Sequence, residues 1–172
     1  MLVVITGGPG SGKTALCEAF AEHLRGKGHS CGGVVMRPTV ADLPTDRVVV
    51  DVATGDSRPL TVPLGTPGAI PAGTAAYDPA ALEWADEVTG RAHAQADVLI
   101  VDEIGALEIE GRGGLVGAMQ LATNARRAVF TVRAGLVSAF LAKIGVGTTP
   151  VLAVSGGDMP AQVEELEKAL HL

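Results

Sequence analysis

The sequence predicts an α/β fold: a mostly parallel sheet flanked by helices, with an appended β-hairpin. Three observations carry that expectation. Apolar runs of strand length alternate with stretches of helical periodicity along most of the 172 residues, the pattern of parallel strands joined by crossover helices. The first run, LVVIT (Leu2 to Thr6), opens directly into a glycine-rich turn and then into a helical pattern. Between Arg47 and Val62 two β-rich runs, RVVVDVAT and RPLTV, flank the turn signal GDS.

Taken in order, the elements follow from local chemistry. From Lys13 onward Leu16, Phe20 and Leu24 recur at helical spacing, and Gly26 and Gly28 stop the helix. GGVVM (Gly32 to Met36) reads as a second strand, and Arg47 to Val62 as the hairpin. The stretch PLGTPGAIPAGTAAY (Pro63 to Tyr77) is dense in Pro and Gly, a long irregular connection that is either a mobile flap or a passive linker. Asp78 and Pro79 start a helix whose buried face is Leu82, Ala85 and Val88. A strand over Val98 to Val101 precedes a helix near Gly114 to Asn124. The strand AVFTV (Ala128 to Val132) and a short helix over Leu136 to Ile144 come next. The strand PVLAV and a final helix striped by Val163, Leu166 and Leu170 close the chain. No repeat or low-complexity segment interrupts this order, so residues 1–172 read as one domain with an insertion at about residues 47–62.

Composition narrows the function. Hydrophobic residues make up 47% and charged ones 19%, a globular balance. A net charge of −6 disfavours a broad basic face for nucleic acid. Cys17 and Cys31 lack metal or redox spacing and read as small buried hydrophobes. The start MLVVITGGPG has neither the basic beginning nor the length of a signal peptide or membrane span, so the expectation is a cytoplasmic protein with no membrane partner. His23, His29, His93 and His171 are scattered without ligand spacing and read as surface residues.

The glycine turn carries the strongest chemical signal. GGPGSGKT, Gly7, Gly8, Pro9, Gly10, Ser11, Gly12, Lys13 and Thr14, fits G-x-x-x-x-G-K-S/T with a strand before it and a helix after it. In such a loop the glycines let backbone N–H groups turn inward around phosphate oxygens, and the helix N-terminus adds partial positive charge. Gly7 to Ala15 are therefore the candidate nucleotide-binding residues. Lys13 is placed to contact the β- and γ-phosphates, and the Thr14 hydroxyl to ligate Mg²⁺.

Far downstream, ADVLIVDEIGALEIE runs four branched apolar residues into two adjacent acids. Alone this is a solvated strand end or a helix cap. Beside a phosphate loop it supplies what a magnesium-bound triphosphate needs: Asp102 as the metal-side carboxylate and Glu103 as the base that orients or deprotonates the attacking water. Charge developing on the γ-phosphate calls for a cation. Arg133, after AVFTV, is the candidate; Arg37, after GGVVM, is the second, and an ordinary surface role competes for each. Thr131 is a candidate polar sensor of the γ-phosphate. SGGD (Ser155 to Asp158) reads as a turn and cap rather than a base or ribose site.

GGPGSGKT and LIVDEIGALEI together make the chain resemble the thermophile-type nucleoside-triphosphatases, also called cancer-related nucleoside-triphosphatases. That family pairs a phosphate loop with a segment of the form D-E-I-G-x-M-E-L. Asp102, Glu103, Ile104, Gly105 and Glu108 match it, with Leu107 at the methionine. The resemblance implies a RecA-like P-loop NTPase fold and Mg²⁺-dependent hydrolysis of several nucleoside triphosphates, ATP and GTP among them, with loose base selectivity. It carries over the phosphate loop and Asp102–Glu103, and Glu108 only as a motif position. Family members often have lysine where this chain has Ala106, and an aromatic-acidic stretch where it has VVMRPTV (34–40).

Two other readings compete. A small-molecule kinase uses the same loop to send the phosphoryl group to an acceptor hydroxyl. A slow nucleotide-dependent switch would need the same residues and a protein partner. No N-K-x-D follows the later strands, which disfavours a guanine-specific switch.

Overall fold

The computed structural model describes residues 1–39 and 46–172. The strand β1 (Leu2–Gly7) leads through the glycine turn into helix α1 (Lys13–Gly26), and β2 (Cys31–Pro38) follows. Next come β3 (Arg47–Asp51), β4 (Ser57–Pro59), β5 (Thr61–Val62), β6 (Ile70–Ala72) and β7 (Ala75–Tyr77). The second half contains α2 (Pro79–Gln95), β8 (Val98–Ile104), α3 (Ala106–Glu110), α4 (Val116–Gln120), β9 (Ala128–Arg133), α5 (Val137–Lys143), β10 (Val151–Ala153) and α6 (Met159–Ala169).

The main sheet has the order β10-β1-β9-β8-β2-β3-β4. Pairing is parallel from β10 through β2 and antiparallel from β2 to β3 and from β3 to β4. Alternation along the strands, interrupted only late in β8 among the described residues, sorts its side chains onto two cores. Val4, Val34, Leu99, Val101 and Phe130 face α2 and α4, meeting Leu82, Ala85, Val88 and Met119; Phe140 of α5 joins them. Val3, Ile5, Val35, Ile100 and Val129 face α1 and α6, meeting Leu16, Phe20, Leu24, Val163 and Leu166. Because both faces are covered, the central strands read as continuous apolar runs.

Several expectations are met closely. Asp78 caps α2 by accepting from Ala80 N at 3.0 Å, with Pro79 in the first turn. SGGD is a turn and cap, Asp158 accepting from Ala161 N at 3.5 Å. Both cysteines are buried.

Others are corrected. The hairpin ends at Pro59: β3 and β4 extend the main sheet, whereas Thr61–Val62 pair with β7 in a separate three-stranded sheet, β5-β7-β6. The connection expected over Pro63 to Tyr77 is irregular only as far as Ala69, and its second half is regular. β6 and β7 form a hairpin closed by Gly73 and Thr74, with Gly73 at φ 69°, the left-handed conformation such a turn uses. The helix expected near Gly114 to Asn124 shrinks to α4, and Leu121 to Arg127 runs in turns. α3 was not anticipated, because one turn is too short to display a period. His23 is half-buried against Glu167 at 3.1 Å, and His93 Nε2 is buried without a partner among the described residues, so neither is a plain surface residue. Among the described residues no helix is long and apolar enough to cross a membrane.

Candidate active site

The glycine turn and α1 form one side of the site at the carboxyl edge of the sheet. Gly10 and Gly12 hold φ values of 70° and 99°, which a side chain at either position would resist. Lys13 folds back so that Nζ donates to the carbonyls of Gly7 (3.1 Å) and Gly8 (2.9 Å). The N-terminus of α1 has no side-chain cap and no acid in its first turn. Its N–H groups are left for an anion. Ser11 Oγ is buried with no partner among the described residues, an orphaned donor beside the same loop. Gly7 and Pro9 to Ala15 line a cavity of about 620 Å³, while Gly8 contributes its carbonyl from behind.

β8 supplies the acids, and does so through an irregularity. The sequence places them past the strand end; instead the strand continues to Ile104. Val101 pairs with Phe130 and Ile104 with Val132, so Asp102 and Glu103 together oppose the single residue Thr131. This is a β-bulge. Regular alternation would send Glu103 to the face opposite Asp102. The bulge, with Glu103 at φ 71°, keeps both acids at one cavity, and a non-glycine residue in that conformation costs roughly 1–3 kcal/mol.

Asp102 is 1% exposed and held by three donors. Thr14 Oγ1 donates to Oδ2 at 2.6 Å, Met36 N to Oδ2 at 3.2 Å and Thr131 Oγ1 to Oδ1 at 2.5 Å. Phosphate loop and acids therefore meet, although β8 is not beside β1: β9 lies between them, and its Thr131 bridges the gap. Thr131 also accepts from Glu103 N at 2.7 Å, which makes it the brace of both acids rather than a free phosphate sensor.

Glu103 faces two guanidinium groups. Arg133 Nη2 donates to Oε1 at 3.4 Å, and Arg47 Nη1 to Oε2. Burial pushes the Glu103 carboxyl above the usual glutamate range and outweighs Arg47; the Asp102 charge adds to the rise and Arg133 opposes it. Arg133 thus stands where the sequence placed it. Arg37 does not: it pairs with Glu18 on the exposed face of α1, outside the cavity. Arg47 was missed. The available signal was topological, since a strand antiparallel to β2 begins at the edge where β2 ends. Met36 and Pro38 wall the cavity, while Val40 of VVMRPTV lies outside the described residues.

Glu108 acquires a definite place. At 3% exposure its Oε2 accepts from Gly105 N (2.8 Å) and its Oε1 from Leu115 N (3.2 Å), tying the start of α3 to α4. Gly114, at φ 69°, packs so closely that a Cβ there would lie 1.8 Å from Glu108 Oε1. Its absence is what lets the carboxylate sit there.

Residues 2–154 match the family described as NTPase. The chain belongs to the NTPase family. Similar members include nucleoside-triphosphatase THEP1 of Methanothermobacter thermautotrophicus, 33% identical over 65% of this chain and 64% of that protein. THEP1 of Methanopyrus kandleri is 34% identical over 76% and 72%. The chain thus spans about two thirds of the length of the curated NTPase relatives it matches. The crystal structure of THEP1 from Aquifex aeolicus covers 100% of both chains at a TM-score of 0.76 and 22% identity. The solution structure of a human cancer-related nucleoside triphosphatase covers 98% of this chain and 96% of its own, at 0.75 and 21%. Both likenesses concern the P-loop NTPase fold.

Proposed function

We propose that the chain hydrolyses nucleoside 5′-triphosphates, ATP and GTP among them, to diphosphate and phosphate with Mg²⁺ and little base selectivity. The observation that carries this reading is the Thr14–Asp102 hydrogen bond of 2.6 Å, which closes loop and acids around one cavity that also holds Lys13 and Glu103. Membership of the NTPase family supports the reaction class.

The residues fit the metal. Thr14 Oγ1 and Asp102 Oδ2 are hard oxygen donors, and no cluster of three His, Cys, Asp or Glu exists among the described residues, so waters and phosphates would complete the shell as Mg²⁺ prefers. When bound, the ion neutralises charge on the β- and γ-phosphate oxygens. The loop N–H groups, the α1 N-terminus and Ser11 Oγ hold the polyphosphate, and Lys13 leaves the Gly7 and Gly8 carbonyls to contact it. Glu103 accepts a proton from water as the water oxygen bonds to the γ-phosphorus. The bond to the bridging oxygen breaks, and the diphosphate departs with its electron pair. Arg133 meets charge on the transferring group. A cytoplasmic location completes the reading, since the buried free thiols Cys17 and Cys31 belong in a reducing compartment.

One observation favours a second reading. A further cavity of about 400 Å³, walled by Tyr77, Leu107 and Arg112, also touches Glu103 and Arg133. An acceptor alcohol seated there would make the chain a kinase with Glu103 as its base. Phosphate release over a panel of ribo- and deoxyribonucleotides, with and without Mg²⁺ and then with acceptor alcohols, tests both. Release from several bases that requires Mg²⁺ and ignores alcohols is expected; release only as phosphorylated alcohol would replace the hydrolase reading.

A further inference from the structure

Arg47 opens β3, whose antiparallel pairing with β2 sets Arg47 opposite Pro38 at the edge where β2 finishes. Its backbone is pinned on both sides. Arg47 N donates to Thr61 Oγ1 at 2.9 Å, and its carbonyl accepts from Leu60 N at 2.8 Å. The side chain is 32% exposed, less than the 62% of Arg133, and it reaches the Glu103 carboxylate from inside the phosphate cavity.

A guanidinium in that position has two anions within its reach: Glu103, with one charge, and the terminal phosphate of a bound nucleotide, with more charge and three acceptor oxygens. The planar fork binds phosphate oxygens in pairs and follows the greater charge. While Arg47 stays on Glu103 Oε2, that oxygen is engaged and its electron pair is less available to a water proton. Moving the fork to phosphate frees it.

We propose that Arg47 is a catalytic residue that leaves its ion pair with Glu103 for the terminal phosphate of the bound triphosphate, releasing Glu103 only when that phosphate is present. This rests on the reading of the cavity as a nucleoside-triphosphate site. A diphosphate, which ends one phosphate short, leaves the Arg47–Glu103 pair in place. The hairpin β3–β4 thereby distinguishes substrate from product.

The experiment compares equilibrium binding of Mg–ADP and of a non-hydrolysable Mg–ATP analogue, together with steady-state turnover of Mg–ATP, in the wild-type chain, Arg47→Ala and Arg47→Lys. Arg47→Ala is expected to leave ADP affinity within about twofold, to weaken the analogue roughly tenfold and to lower kcat by ~10²–10³-fold. Arg47→Lys, which keeps the charge without the fork, is expected to recover part of the analogue affinity and less of kcat. A structural role would weaken ADP and analogue alike. That outcome, or an unchanged kcat, overturns the proposal while the hydrolase reading stands. Should Arg47→Ala fail to fold, Arg47→Lys decides by the same ratio: equal losses for both ligands, or none, overturn it. A wild-type chain that binds neither nucleotide overturns the cavity reading and this proposal with it.

Discussion

The strands β1, β9, β8 and β2 are buried over most of their length, whereas the antiparallel additions are short and grow shallower away from them: β3 buries Val49, Val50 and Asp51, β4 is exposed at each of its residues, and β5 and β6 have no fully buried one. Both regions reach one cavity. The deep strands set Asp102, Thr131 and the glycine turn, where sub-ångström placement matters. The appendage sets Arg47 and joins both cores through Val49 and Leu60 on the α2 side and Val50 on the α1 side; Arg58, 5.0 Å above the Trp84 ring, and Arg91, 3.5 Å from Asp51, add ties to α2. Groups that must be fixed before substrate arrives sit on packed parallel strands. The group that changes partners sits at the half-buried start of β3, ahead of the buried Val49, Val50 and Asp51.

Replacing groups on the deep side should have the largest effects. Lys13→Ala should reduce phosphate release by more than about 10³-fold and weaken nucleotide binding, because its amine, now on the Gly7 and Gly8 carbonyls, is the cation carried by the glycine turn itself. Unaltered turnover would remove the loop from the chemistry. Glu103→Gln should lower kcat by about 10²–10⁴-fold with affinity nearly intact, as expected of a general base. Loss of binding without a kinetic defect would mean that the acid is a structural element. The pH profile follows from the same residue. Its carboxyl is held above the ordinary glutamate value and must be ionised to act, so kcat/KM should fall on acidification at a pH above that value, about 4.3. In Glu103→Gln that acidic limb should vanish from the residual rate.

On the more exposed side the effects shrink. Arg133→Ala should slow kcat about tenfold while ground-state binding changes less, since a group 62% exposed meets charge through partly screened space. An unchanged kcat would return Arg133 to the surface. Smallest of all, Arg58→Ala should cost about 0.5–1 kcal/mol from the lost contact with Trp84. Hydrogen exchange should show the loss confined to β3 and β4; a uniform loss across the sheet would contradict the division between the two regions.

How much of this was legible in the chain follows the same division. VLIV, AVFTV and LVVIT announce themselves because strands covered on both faces are apolar throughout, and GGPGSGKT because backbone recognition of phosphate demands glycine at fixed spacing. Asp102 and Glu103 could be paired with the loop by chemistry. The bulge that lets both face one cavity could not be read, since it is a property of pairing with β9. Ile70–Ala72 and Ala75–Tyr77 are too short and too rich in Pro and Ala to alternate, so they read as loop. Arg47 was hidden for a different reason: nothing in RVVVD distinguishes it from a surface arginine until β3 is known to run antiparallel to β2. Glu108, a bare motif position in the sequence, is explained only by the two backbone N–H groups that its carboxylate accepts from.

The most direct measurement is a crystal structure with Mn²⁺ in place of Mg²⁺ and a non-hydrolysable triphosphate analogue, the ion placed by its anomalous scattering. The account predicts one manganese bonded to Thr14 Oγ1 and to the analogue, with Asp102 within one water of it and Lys13 on the phosphates. Manganese bound away from Thr14, or a triphosphate seated outside the space between the glycine turn and β8, would contradict it.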